Sequence, residues 1–151
     1  MSTDRSASSA PLPPVTDVPP GVVDAVAWVH VRDGRLLNVR SAGKDALYLP
    51  GGKREPGESD VEVLVREVRE ELAVRLRPET ARLFAVVDAD AHGYPDGTRV
   101  RLLCYTAEHE GEPTPSAEIR ELAWVDGAAA ERCAPAGRRV LEVLRERGLL
   151  G

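Results

Sequence analysis

Three glutamates, Glu67, Glu70 and Glu71, stand at positions i, i+3 and i+4. At about 100° per residue they share one arc of a helix. Carboxylates at that spacing repel one another, each pair costing roughly a few tenths of a kcal/mol. Taken alone, such a triplet is ordinarily a solvated acidic face. Its chemical alternative is a magnesium site. Mg²⁺ takes oxygen ligands in near-octahedral geometry and usually bridges a few carboxylates to a substrate phosphate. Arg66, four residues before Glu70, can offset part of the repulsion.

A helix must hold these side chains, and the segment Ser59–Ala73 has the signals for one. Ser59 followed by Glu62 makes a capping box, and Pro78 lies beyond the far end. Val61, Val65, Val68 and Leu72 fall within roughly 60° of one another, with Leu64 at the edge. They are the expected core stripe, adjacent to the glutamate arc. Around this helix, Val22–Val31 reads as a strand and Asp33-Gly34 as a hairpin turn. Arg35–Arg40 reads as the return strand. Pro50-Gly51-Gly52 stops the short apolar stretch Ala46–Leu49. Leu83–Ala89, Arg99–Ala107 and Glu121–Val125 read as further strands, and Arg138–Arg147 as a second helix. Strands, helix, strands, helix, with an early hairpin, predict a mixed α/β (α+β) fold: a mixed sheet with helices packed on it, not a doubly wound parallel sheet.

The context of the glutamates favours the metal. Gly52, Glu58, Arg66, Glu67, Val68, Glu70, Glu71 and Val74 stand in the register G-x5-E-x7-R-E-U-x-E-E-x-G-U, where U is aliphatic. This run resembles the Nudix box. One position departs from it: Ala73 stands where the pattern has glycine, at the helix end where a positive φ is often wanted. Ala73 should therefore cost stability or let the helix run on slightly, without removing a metal ligand.

The resemblance implies a mixed sheet sandwiched between helices, and hydrolysis of a phosphoanhydride bond in a nucleoside di- or triphosphate or another nucleoside diphosphate derivative. It implies Glu67, Glu70 and Glu71 as ligands of Mg²⁺, or of Mn²⁺ instead, with the Gly52 carbonyl as a further ligand. Glu58 would be a supporting acid, and Arg66 would pair with a box glutamate and orient it. Lys53 is a candidate to clamp phosphate. In the family the general base is either a box glutamate or a later acid. Glu118 is the preferred late acid here, with Glu110 and Glu112 as alternatives and His109 a weaker one. Tyr48, just before the Pro-Gly-Gly turn, and Tyr94, in a loop, are the aromatics best placed for substrate contact, whereas Trp28 and Trp124 in strands read as core. His30 and His92 carry no signal. The alternative function is a Nudix domain without catalysis that binds a nucleotide-like ligand. The intact glutamate set argues against it.

The bulk numbers fit this reading. A chain of 151 residues suggests one domain, expected over 21–151. Residues 1–20, rich in Ser, Pro and Ala, read as a disordered leader. Net charge is −5 at pH 7, which argues against a nucleic-acid partner. Cys104 and Cys133 form no CxxC pair, and Cys104 reads as a small buried hydrophobe. No apolar run approaches a membrane span, and no secretory signal opens the chain, so the expected setting is the cytoplasm. The expected partner is a small nucleotide-like substrate, and the resemblance adds a homodimer as an option.

Overall fold

A computed structural model describes residues 21–151; the leader assigned to 1–20 lies outside them. The first sheet contains β1 (Val22–Trp28), β4 (Gly51–Lys53), β6 (Arg82–Asp90) and β7 (Arg99–Thr106) in the order β4-β1-β7-β6. β1 and β7 are parallel and the other pairs antiparallel, so the sheet is mixed as expected. A second, antiparallel sheet joins β2 (Val31–Arg32), β3 (Arg35–Ser41) and β9 (Ile119–Val125). A short pair joins β5 (Arg75–Leu76) to β8 (His109–Glu110). The helices are α1 (Asp60–Leu72) and α2 (Pro135–Glu146). No helix among the described residues is long and apolar enough to cross a membrane.

Side chains alternate across a strand, and that alternation places one helix on each face. Val26, Trp28, Leu37, Val39 and Leu103 pack in one cluster with Val63, Leu64, Val68 and Leu72 of α1. Ala27, Val29, Leu36 and Cys104 pack in another with Val140, Leu141 and Leu144 of α2. The expected sandwich is present, and Cys104 is buried.

Several local expectations need correction. Val22–Val31 is not one strand: it breaks at Val29-His30, where the Val29 amide donates to the Tyr105 carbonyl at 2.8 Å and the Leu37 amide to the His30 carbonyl at 2.9 Å. The chain leaves the first sheet there and enters the second. The Asp33-Gly34 turn is as expected, with φ of 54° and 75° at its two residues. Gly51-Gly52 does not merely end a segment but opens β4, paired with Ala27 and Val26. α2 starts at Pro135 instead of Arg138, because proline suits the first turn of a helix.

The most informative correction concerns α1. Its buried residues are Val63, Leu64, Val68, Glu71 and Leu72, while Val61 and Val65 are only half-buried. The helix is rolled so that part of the glutamate arc faces inward. A helix packed for apolar burial alone would not bury Glu71 in place of Val61 or Val65.

Candidate metal and phosphate site

The start of α1 is fixed by its capping box. The Ser59 side chain accepts from the Glu62 amide at 3.2 Å, and the Glu62 carboxylate accepts from the Ser59 amide at 2.8 Å. Arg54 anchors the preceding loop. It donates to Asp24 on β1 at 2.8 Å and to Asp60 on α1 at 2.6 Å, and the Tyr105 hydroxyl also donates to Asp60 at 2.8 Å. Sequence reasoning gave Arg54 no role. Asp24 is thirty residues away and Asp60 lies across the loop, and no spacing rule would have joined the three.

The end of α1 is closed from far away. The Ser116 amide donates to the Glu71 carbonyl and the Thr114 amide to the Leu72 carbonyl, both at 2.9 Å. These bonds satisfy carbonyls that a helix end leaves unpaired. Ala73 takes a left-handed conformation, φ 57° and ψ 30°, and its amide donates to the Arg69 carbonyl at 3.0 Å. The helix therefore stops at the expected place with alanine in a conformation that favours glycine.

Between these ends the carboxylates meet β4. A side chain on Gly51 would overlap the Val26 carbonyl oxygen and lie 2.8 Å from the Ala27 Cα. One on Gly52 would overlap the Glu67 carboxylate. Gly52 lets α1 lie this close to β4, and Gly51 lets β4 lie this close to β1. The Gly51 amide donates to Glu71 Oε1 at 3.1 Å. The box thus brings Gly52 and Glu67 together, and the Gly51 amide is a further contact that the sequence did not disclose.

Arg66 gathers the other acids. Its Nε and Nη2 donate to the two oxygens of Glu58 at 2.7 and 2.8 Å, and Nη1 donates to Glu67 at 3.1 Å. Glu70 lies 3.8 Å from the same Nη1, more than half exposed. These bonds hold the Glu58 carboxyl at about 2. Burial raises the Glu67 carboxyl against the pull of Arg66.

Glu71 is different. It is 7% exposed, and no arginine, lysine or histidine among the described residues forms an ion pair with it. Burial, opposed by the Gly51 hydrogen bond and reinforced by the charges of Glu67, Glu118 and Glu70, pushes its carboxyl up to about 8. A buried carboxylate among like charges lacks a cation. All-oxygen donors of this kind suit Mg²⁺ or Mn²⁺. Glu67, Glu70 and Glu71 share this neighbourhood without converging on one point: among the described residues no three acidic, histidine or cysteine side chains stand in ligand geometry.

Glu118 follows the Thr114–Ser116 segment and faces Glu67 and Glu71 closely enough to oppose their ionisation. Glu110 and Glu112 are engaged elsewhere, with Arg77 at 3.2 Å and Arg32 at 2.7 Å. His109 lies edge-on to His30, with ring centroids 4.7 Å apart. Lys53 reaches the Tyr94 hydroxyl at 3.2 Å. The Tyr48 hydroxyl shares a 2.5 Å hydrogen bond with His92 Nδ1, which gives His92 a place that its sequence position did not suggest.

Comparison with known proteins follows the same lines. The model of the NUDIX domain matches residues 20–144. YjhB of Bacillus subtilis (strain 168), provisionally named an ADP-ribose pyrophosphatase, is 32% identical over 85 residues, covering 54% of this chain and 40% of its own. Human NUDT18, named an 8-oxo-dGDP phosphatase, is 58% identical over 33 residues, 22% of this chain and 10% of its own. The chain thus matches less than half the length of either relative. The crystal structure of a MutT NUDIX hydrolase from Burkholderia pseudomallei superposes with a TM-score of 0.63 at 28% identity, over 80% of this chain and 96% of that one.

Proposed function

The chain belongs to the Nudix family, and on that premise we propose that it hydrolyses a phosphoanhydride bond in a nucleoside di- or triphosphate or a related nucleoside diphosphate derivative, with Mg²⁺ or Mn²⁺ held by Glu67, Glu70, Glu71 and the Gly52 carbonyl. The observation that carries this reading is Glu71, a buried carboxylate beside Glu67, Glu70 and Glu118 and without a cationic partner among the described residues. An isolated buried charge is costly, and a divalent cation supplies what the site lacks. When bound, such an ion neutralises charge on phosphate oxygens and lowers the pKa of water.

The chain's own residues do the rest. Arg66 fixes Glu58 and Glu67 by charge-assisted bonds. Lys53, next to Gly52, takes a phosphate oxygen. Glu118, the one late-loop acid facing the cluster, accepts the proton of the attacking water. Residues 21–151 act as one domain. The setting is the cytoplasm, and two free, buried cysteines suit a reducing compartment.

The test is a phosphate-release screen with purified protein, Mg²⁺ and an EDTA control. The names of the two relatives put ADP-ribose and 8-oxo-dGDP first in the panel, beside nucleoside triphosphates, nucleotide sugars and dinucleoside polyphosphates. Turnover of one group, abolished by EDTA and by Glu70→Gln, is the expected result. No turnover of any of them, or turnover indifferent to EDTA, overturns the proposal.

A further inference from the structure

The turn between β6 and β7 reaches across to the far edge of its own sheet. β6 and β4 are opposite edges of that sheet, with β7 and β1 between them. The turn is closed at its base by the Ala91 amide on the Thr98 carbonyl at 2.9 Å and by Arg99 on Asp90 at 2.8 Å. Beyond that base, His92 meets Tyr48, just before β4, and Tyr94 meets Lys53, at its end. The Tyr48 and His92 rings stand 5.8 Å apart at 60°, and the Lys53 ammonium is 5.8 Å from the Tyr94 ring centroid. Tyr94 is nevertheless 42% exposed. Lys53 follows directly on Gly52, which touches Glu67. Two consecutive residues thus connect the aromatic group to the carboxylates.

We propose that His92 and Tyr94, carried on this turn, form with Tyr48 the wall that receives the nucleoside end of the substrate. The inference rests on the phosphoanhydride reading above and adds which residues set its preference for a nucleoside. Rings with polar tips offer flat contact area at low entropic cost, and every base has a face to stack on them. The polar tips here are held by each other and by Lys53, which also stands over one face of the Tyr94 ring, while Tyr94 stays 42% exposed. A substrate with one phosphate on Lys53 and the metal would carry its base toward these rings. Such contacts discriminate a nucleotide from a bare phosphoanhydride.

The experiment is calorimetric titration in Mg²⁺ with the hydrolysis-resistant α,β-methylene analogues of ADP, GDP, CDP and UDP, and with methylenediphosphonate as the base-free probe. The expected result is that at least one nucleotide analogue binds the wild type tenfold or more tightly than the diphosphonate. Tyr94→Ala and His92→Ala should each reduce that margin by about fivefold or more, the scale of one lost stacking contact. Both should leave diphosphonate binding unchanged, while Lys53→Ala weakens both probes. Tyr94→Phe, which keeps the ring, should retain most of the margin and controls for folding. If the wild type binds the diphosphonate in a metal-dependent way but shows no preference for nucleotides, this inference alone fails. Equal weakening of both probes by Tyr94→Ala, or none, also overturns it. Absence of any metal-dependent diphosphonate binding overturns the underlying phosphoanhydride reading.

Discussion

The Ser116 amide donates to the Glu71 carbonyl at 2.9 Å, so the backbone of one candidate ligand is held by the loop that carries the candidate base. Glu118, two residues on, is thereby placed beside the acids of α1. Glu118→Gln should lower kcat by about a hundredfold and leave KM nearly unchanged, as expected for loss of a proton acceptor. Glu110→Gln and Glu112→Gln, whose partners are arginines elsewhere, should change kcat less than about twofold. Steady-state kinetics of the three variants decide the assignment.

The raised carboxyl of Glu71 makes metal-free stability depend on pH. In the unfolded chain a glutamate titrates near about 4.3, and in the fold Glu71 titrates at about 8. The folded state therefore binds the extra proton, and the stability it contributes is complete below the unfolded value and lost as pH rises through about 8. In EDTA, Tm should fall between about pH 6 and about pH 8.5. Mg²⁺ should raise Tm more at the higher pH, where it need not displace a proton. Glu71→Gln should flatten the slope. Scanning calorimetry at both values checks the sign.

Arg66 grips Glu58 with two parallel bonds. Arg66→Lys keeps the charge but loses that fork. It should cost about 1–2 kcal/mol of stability and lower turnover by about tenfold or more, because Glu67 loses its orienting partner. Denaturant melts and steady-state rates measure both. Recovery of full activity by lysine would show that charge alone suffices.

Ala73 occupies a left-handed conformation at φ 57°. Ala73→Gly should relieve about 1 kcal/mol and raise Tm by roughly 3–5 °C, with turnover unchanged. A lower Tm for the glycine variant would show that the gain in chain entropy on unfolding outweighs the relief of strain.

Much of this was written locally. The Ser59 cap and the Asp33-Gly34 turn follow from short-range rules, and both helices lie where periodicity put them, though α2 begins three residues earlier, at Pro135. The roll of α1 was not legible. Val61 and Val65 fit the expected apolar stripe and Val63 lies outside it, yet Val63 is the one buried; the contacts of Gly51 and Gly52 with Glu71 and Glu67 accompany that roll. The same holds for His92: its ring meets Tyr48 because a turn spans a sheet, a matter of topology and not of spacing. Arg66 and Glu58 were readable through the resemblance to the Nudix box, and the structure pairs them across the loop–helix junction.

β1 lies parallel to β7, in register from Val22 opposite Arg99 to Trp28 opposite Tyr105. A ribosome makes β1 first and β7 only after β4, α1 and β6. Such non-local pairing closes late, since the loop-closure entropy must be met before the contact forms. In the unfolded chain the carboxylate of Glu71 is hydrated and charged at little cost. The site's electrostatic tension thus belongs to the assembled fold, in which Glu71 is buried with the Gly51 amide on its carboxylate and the Ser116 amide on its carbonyl.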